Sequence, residues 1–176
     1  LFPNHKAAKQ YNFEYLPLEE IYRQADVISL HCPLTPENVH MINHDAIKMM
    51  KKGVFIVNTS RGKLIDTKAL IDGLKNKHIG AAALDVYEEE SDYFFEDLSN
   101  HAIDDDKLAR LMTFPNVLVT SHQAFFTREA MTNIAQVTLD NIRDFFGPKL
   151  LPNAICARCD GSRNCPPTNT PCARKA

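Results

Sequence analysis

The sequence predicts an α/β domain: a parallel sheet whose strands are joined by helical crossovers. Two observations carry that reading. Short apolar runs alternate with helical segments from about Phe13 to Phe146. The polar, charged and glycine residues that could do chemistry follow the ends of the apolar runs. Strand, helix, strand in repeating order requires parallel pairing with right-handed connections. In such sheets ligands sit at the carboxyl ends of the strands.

The elements follow in order. Val27-Ile28-Ser29-Leu30, Val54-Phe55-Ile56-Val57, Ile79 to Leu84 and Val117-Leu118-Val119 read as strands buried on both faces, because near-continuous apolar runs leave no face for water. Asn43 is placed to cap a helix, with Ile42 and Ile47 as a hydrophobic staple and Gly53 at its end. Asp66 repeats the device with Ile65 and Leu70. Ser91 to Lys107 is a long acidic, partly aromatic insertion between the last two strands. Thr127 to Phe146 is an amphipathic helix, with Met131, Ile134, Ala135, Thr138 and Ile142 on one face, stopped by Gly147-Pro148. From Lys149 to Ala176 no period survives, and a poorly ordered tail is expected. The expected division is 1–126 as the main domain, 127–148 as a closing helix and 149–176 as tail.

Composition narrows the function classes. A chain of 176 residues supports one domain with a sizeable core but is tight for two. A formal charge of -2 and the lack of a basic stripe argue against a nucleic-acid partner. No apolar run approaches the roughly 18 residues a membrane span needs. The opening Leu1-Phe2-Pro3-Asn4 has no signal-peptide pattern and does not start with Met, a hint of an incomplete chain. Cys32 is alone in the body, which suits a reducing cytoplasm. Cys156, Cys159, Cys165 and Cys172 crowd the tail, but the second pair lacks knuckle spacing and no histidine is near. No metal site is expected there.

The strand ends carry the chemistry. The first gives His31-Cys32-Pro33-Leu34-Thr35-Pro36-Glu37-Asn38, which alone is most simply a turn. The second gives Asn58-Thr59-Ser60-Arg61-Gly62, where small residues permit close approach and the arginine offers a fork matched to a carboxylate. A surface arginine explains it equally well. The third gives Asp85-Val86-Tyr87-Glu88-Glu89-Glu90, and acidic runs are usually solvated. The fourth gives Ser121-His122-Gln123-Ala124-Phe125-Phe126, and a lone histidine is more often structural. A parallel sheet, however, brings arginine, acid and histidine to one edge. Reduction of a carbonyl beside a carboxylate needs that set: a cation, a proton donor, and an acid to orient and charge the donor.

In order and spacing these motifs resemble the signatures of the D-2-hydroxyacid dehydrogenases, up to about Asn153. The resemblance implies a Rossmann-like doubly wound parallel sheet and NAD as cofactor. It makes Arg61 the holder of the substrate carboxylate, His122 the proton donor and Glu90 the acid paired with it, with Glu88 and Glu89 as bystanders. Asp85 matches a residue near the nicotinamide carboxamide. Cys32, Pro33, Asn38, Thr59, Ser60 and Arg61 match positions lining the dinucleotide. A small 2-oxoacid or 2-hydroxyacid substrate, a homodimer and a cytoplasmic location are implied as well. His122-Gln123-Ala124-Phe125-Phe126 and the insertion resemble the D-lactate branch. The alternatives are another acid (hydroxypyruvate, glyoxylate or branched-chain) or a dinucleotide-sensing corepressor of the same fold. There is no Gly-x-Gly-x-x-Gly in the chain. The expectation is therefore an incomplete sheet, its first strands and the substrate domain's N-terminal part lying before residue 1.

Overall fold

In the computed structural model, residues 3–89 and 105–147 are described. Glu90, most of the acidic insertion, Pro148 and the cysteine-rich tail therefore lie outside the described residues. The chain divides into two compact units, Leu1–Ala124 and Phe125–Ala176.

The first unit is a parallel sheet of β1 (Val27–Leu30), β2 (Val54–Asn58), β3 (Ile79–Leu84) and β4 (Val117–Val119), in that spatial order. Around it run α1 (His5–Tyr11), α2 (Leu18–Gln24), α3 (His44–Met49), α4 (Thr67–Lys75) and α5 (Asp106–Met112). This is the Rossmann-like α/β class the sequence predicts. The second unit holds α6 (Arg128–Phe146), with Thr127 as its cap and Gly147 at its end.

The predicted caps form as hydrogen bonds. The Asn43 side chain accepts from the backbone N–H of Asp45 and Ala46, and that of Asp66 accepts from Lys68 and Ala69. Both staples are buried: Ile42 with Ile47, and Ile65 with Leu70. Gly53 is a correction, because α3 ends at Met49 and Met50 is already extended. Gly53 sits in the turn entering β2 at φ +87°, with nothing within 4 Å of an added Cβ, so conformation and not space calls for glycine there. The helices α1, α2 and α5 were not foreseen. The signal for α5 was present: Asp105 caps it, and Leu108 and Leu111 are buried one turn apart.

Burial on both faces of the strands is also corrected. Within the first unit α2, α3, α4 and α5 pack side by side in a row, as a consecutive strand order with crossovers of one hand requires. They cover one face, where Ile28, Ile56, Leu70 and Ile79 form the core. On the other face Val27, Phe55 and Leu118 are 58%, 51% and 61% exposed.

Candidate active site

The carboxyl ends of β2, β3 and β4 are laced together through one another's polar groups. Asn58 closes β2 and is only 1% exposed. Its side-chain oxygen accepts from the Ser60 N–H at 3.0 Å and its amide donates to the Arg61 carbonyl at 2.9 Å. A buried amide offers both a donor and an acceptor, so it can fold the chain back on itself within three residues. Arg61 emerges from that turn exposed, its Nη1 donating to the Ser60 carbonyl at 2.7 Å. Gly62 then passes so close to the next strand end that a Cβ would lie 1.9 Å from the Tyr87 carbonyl oxygen. No other residue fits, and the Arg61 turn is thereby pressed against the end of β3.

Asp85 occupies the step after β3. Its N–H donates to the Asn58 carbonyl at 2.9 Å, and its own carbonyl accepts from the His122 N–H at 2.7 Å. One buried residue thus links the arginine turn to the histidine turn. Its carboxylate, in a residue 3% exposed, takes the Thr120 hydroxyl at 2.6 Å and the N–H groups of Gln123 at 2.7 Å and Ala124 at 2.9 Å. Burial pushes the Asp85 pKa up. The hydrogen bonds from Thr120, Ala124 and Gln123, and the neighbouring His122, outweigh it and hold the carboxyl below its ordinary value. His122 adopts φ +52°, a left-handed conformation that costs a side-chain-bearing residue about 1–2 kcal/mol. The carboxylate of Asp85 holds the Thr120 side chain before it and the Gln123 and Ala124 backbone after it in place.

The wall residues lie at the ends of β1 and β2. The Ser60 hydroxyl donates to the Cys32 carbonyl, tying the two ends together. Asn38 accepts from the Thr35 N–H at 2.8 Å and donates to the Pro33 carbonyl at 2.8 Å, closing the 33–38 loop, whose last turn starts at Pro36. Cys32 is half-buried, its sulfur 3.9 Å from that of Met41. Pro33 and Thr59 remain exposed on this ledge.

Of the predicted set, Arg61, Asp85 and His122 stand at adjacent strand ends, and Cys32, Pro33, Asn38, Thr59 and Ser60 form the neighbouring ledge. Neighbouring strands run about 4.8 Å apart, so the ends of β2 and β4 are separated by about 10 Å, with the end of β3 and Asp85 between them. Glu90 lies outside the described residues. The two acids taken as bystanders are both engaged: Glu88 with His40 at 2.6 Å, and Glu89 with Lys107 at 3.6 Å. The Tyr87 hydroxyl donates to Asp105. The chain on either side of residues 90–104 is thus tied together. Sequence reasoning missed Thr120 and the structural part of Asn58; a polar residue closing an apolar run was the signal for both.

A family profile described as "D-isomer specific 2-hydroxyacid dehydrogenase, NAD binding domain" matches residues 2–124. The D-lactate dehydrogenase of Escherichia coli is 52% identical over 149 residues, 85% of this chain and 45% of that protein. An aromatic 2-oxoacid reductase of Clostridium sporogenes is 50% identical over 145 residues, 82% of this chain and 43% of its own. The structure of a Salmonella D-lactate dehydrogenase superposes with a TM-score of 0.76 at 50% identity, covering 88% of this chain and 47% of that one. The chain spans under half the length of these relatives.

Proposed function

The chain belongs to the D-isomer-specific 2-hydroxyacid dehydrogenase family, with NAD as the cofactor of its domain, and from that premise we propose that the full-length protein interconverts pyruvate and D-lactate. The observation that carries the reading is the hydrogen-bonded chain Arg61–Asn58–Asp85–His122 along one sheet edge. Those bonds join the backbone of the arginine turn to that of the histidine turn, which supports a cation and an imidazole serving one small acid.

The strand-end ledge suits a dinucleotide. Pro33 and Thr59 offer neutral surface, and Ser60 and Asn38 spend their side chains on stiffening the loops. Bound NAD supplies hydride chemistry at its nicotinamide ring. The remaining tasks fall to this chain. Arg61 pairs with the substrate carboxylate through its planar fork and orients the carbonyl. His122 gives a proton to the keto oxygen in reduction and takes it back in oxidation. Glu90 is the acid assigned to pair with that imidazole and orient it. Asp85 keeps the histidine turn in its left-handed conformation.

Relatives of nearly equal identity carry names for lactate and for aromatic acids, so the substrate assignment is tested by a panel. Pyruvate, hydroxypyruvate, glyoxylate, a branched-chain 2-oxoacid and phenylpyruvate are offered with NADH to the full-length protein. Pyruvate is expected to give the highest kcat/KM. A higher value for phenylpyruvate overturns the lactate assignment, and no turnover with any member overturns the enzyme reading, leaving the corepressor. Arg61→Lys keeps charge but loses the fork. It should lower kcat/KM for the preferred acid by more than about tenfold, or 1.4 kcal/mol; a smaller loss removes Arg61 from its role.

A further inference from the structure

Glu88 is a half-buried carboxylate that the proposed chemistry does not use. One oxygen lies 2.6 Å from Nε2 of His40, and the other accepts from the Thr67 N–H at 3.3 Å. Burial pushes its pKa up, but His40 and Thr67 outweigh this and hold the carboxyl below its ordinary value. The residues it joins bracket the segment that carries Arg61. Thr67 opens α4, directly after the Asp66 cap. His40 sits at φ +53°, and its N–H donates to the Lys63 carbonyl at 2.8 Å. Beyond it, Ile42 and Leu64 to Asp66 run alongside one another: the Ile42 N–H donates to the Leu64 carbonyl and the Asp66 N–H to the Ile42 carbonyl. Gly62 rests against the Tyr87 carbonyl and the Glu88 nitrogen. The segment 61–67 is therefore enclosed by Asn58 at its start, by 40–42 along one side and by Tyr87–Glu88 along another. The Glu88–His40 contact joins those two sides.

We infer that Glu88 and His40 form a positioning pair for Arg61: their contact clamps the 61–67 segment between two neighbouring loops and fixes the base from which the guanidinium reaches the substrate carboxylate. The pair belongs neither to the residues assigned to the substrate nor to the dinucleotide ledge. It acts through backbone alone, so its loss is read where Arg61 acts, in substrate binding. The exposed Glu89–Lys107 pair, 54% and 50% accessible, closes no such enclosure. The kinetic part of this inference rests on the proposed 2-oxoacid reduction.

The test combines amide hydrogen exchange with steady-state kinetics for the full-length protein and its Glu88→Ala, Glu88→Gln, His40→Ala and double Glu88→Ala/His40→Ala variants. Glu88→Ala and His40→Ala should each speed exchange over residues 61–66 and raise KM for the 2-oxoacid about five- to tenfold. Both kcat and KM for NADH should stay within about twofold, a split that marks lost ground-state binding. The double variant should be no worse than Glu88→Ala, as members of one contact are non-additive. Glu88→Gln keeps an acceptor oxygen and should recover part of the loss; it also serves if the alanine variants fail to fold. Unchanged exchange over 61–66 overturns the inference, and so does faster exchange with unchanged KM. If the unaltered protein reduces no 2-oxoacid, the functional reading falls on its own, and exchange confined to 61–66 still decides whether the clamp exists.

Discussion

His40 and His122 share a backbone conformation, at φ +53° and +52°, and each lies beside a carboxylate. The carboxylates do opposite things. Glu88 binds the ring of His40 itself, at 2.6 Å. Asp85 spends both oxygens on Thr120, Gln123 and Ala124, gripping the chain on either side of the His122 ring. The same two residue types make a ring-to-carboxylate contact in one place and a carboxylate clamp on the turn in the other. In the proposed reading, the atoms that the neighbouring acid takes separate the bracing histidine from the reacting one. A left-handed histidine costs free energy in both turns, and at His122 the Asp85 carboxylate offsets that cost through Thr120, Gln123 and Ala124.

That contrast predicts unequal losses. His122→Ala removes the proton donor and should lower kcat by about 10²–10⁴, the usual contribution of a positioned general acid. His40→Ala should leave kcat nearly untouched, and equal losses of kcat at the two histidines break the comparison. Asp85→Asn comes next. Its amide nitrogen faces backbone N–H groups that need an acceptor, so stability should fall by about 1–3 kcal/mol. With the histidine turn loosened, kcat/KM should drop by about tenfold, or 1.4 kcal/mol.

The effect of Asp85 on stability is also pH-dependent, and its sign is fixed. The folded carboxyl is held below its ordinary value. Its contribution is therefore fully present above the unfolded value of about 3.9 and is lost as pH falls through the folded value. Urea midpoints of the unaltered and Asn proteins should differ most near neutrality and converge as pH falls through the folded value. A constant gap across that range contradicts the clamp.

Much of this was legible in the sequence, for reasons particular residues show. The strands emerged because their apolar runs are nearly continuous, and the α3 and α4 caps because Asn43 and Asp66 stand just before them with a staple pair around each. Arg61, Asp85 and His122 could be placed at one edge because parallel strands end on the same side. Three things were not legible. The exposure of Phe55 and Leu118 depends on which side the crossovers pass, which a run of apolar letters does not encode. The work of Asp85 depends on backbone N–H groups, which every sequence carries at every position. Glu88 and His40 are 48 residues apart, and nothing local links them.

The proposed reaction rests on His122 as the proton donor with Glu90, not the acids before it, as its partner. The direct measurement is kcat and KM in both directions for the unaltered full-length protein, Glu90→Gln and Glu88→Gln. Glu90→Gln should lower kcat for pyruvate reduction and for lactate oxidation by about tenfold or more, 1.4 kcal/mol. Glu88→Gln should raise KM and leave kcat in place. A loss of kcat at Glu88→Gln with none at Glu90→Gln would contradict the account.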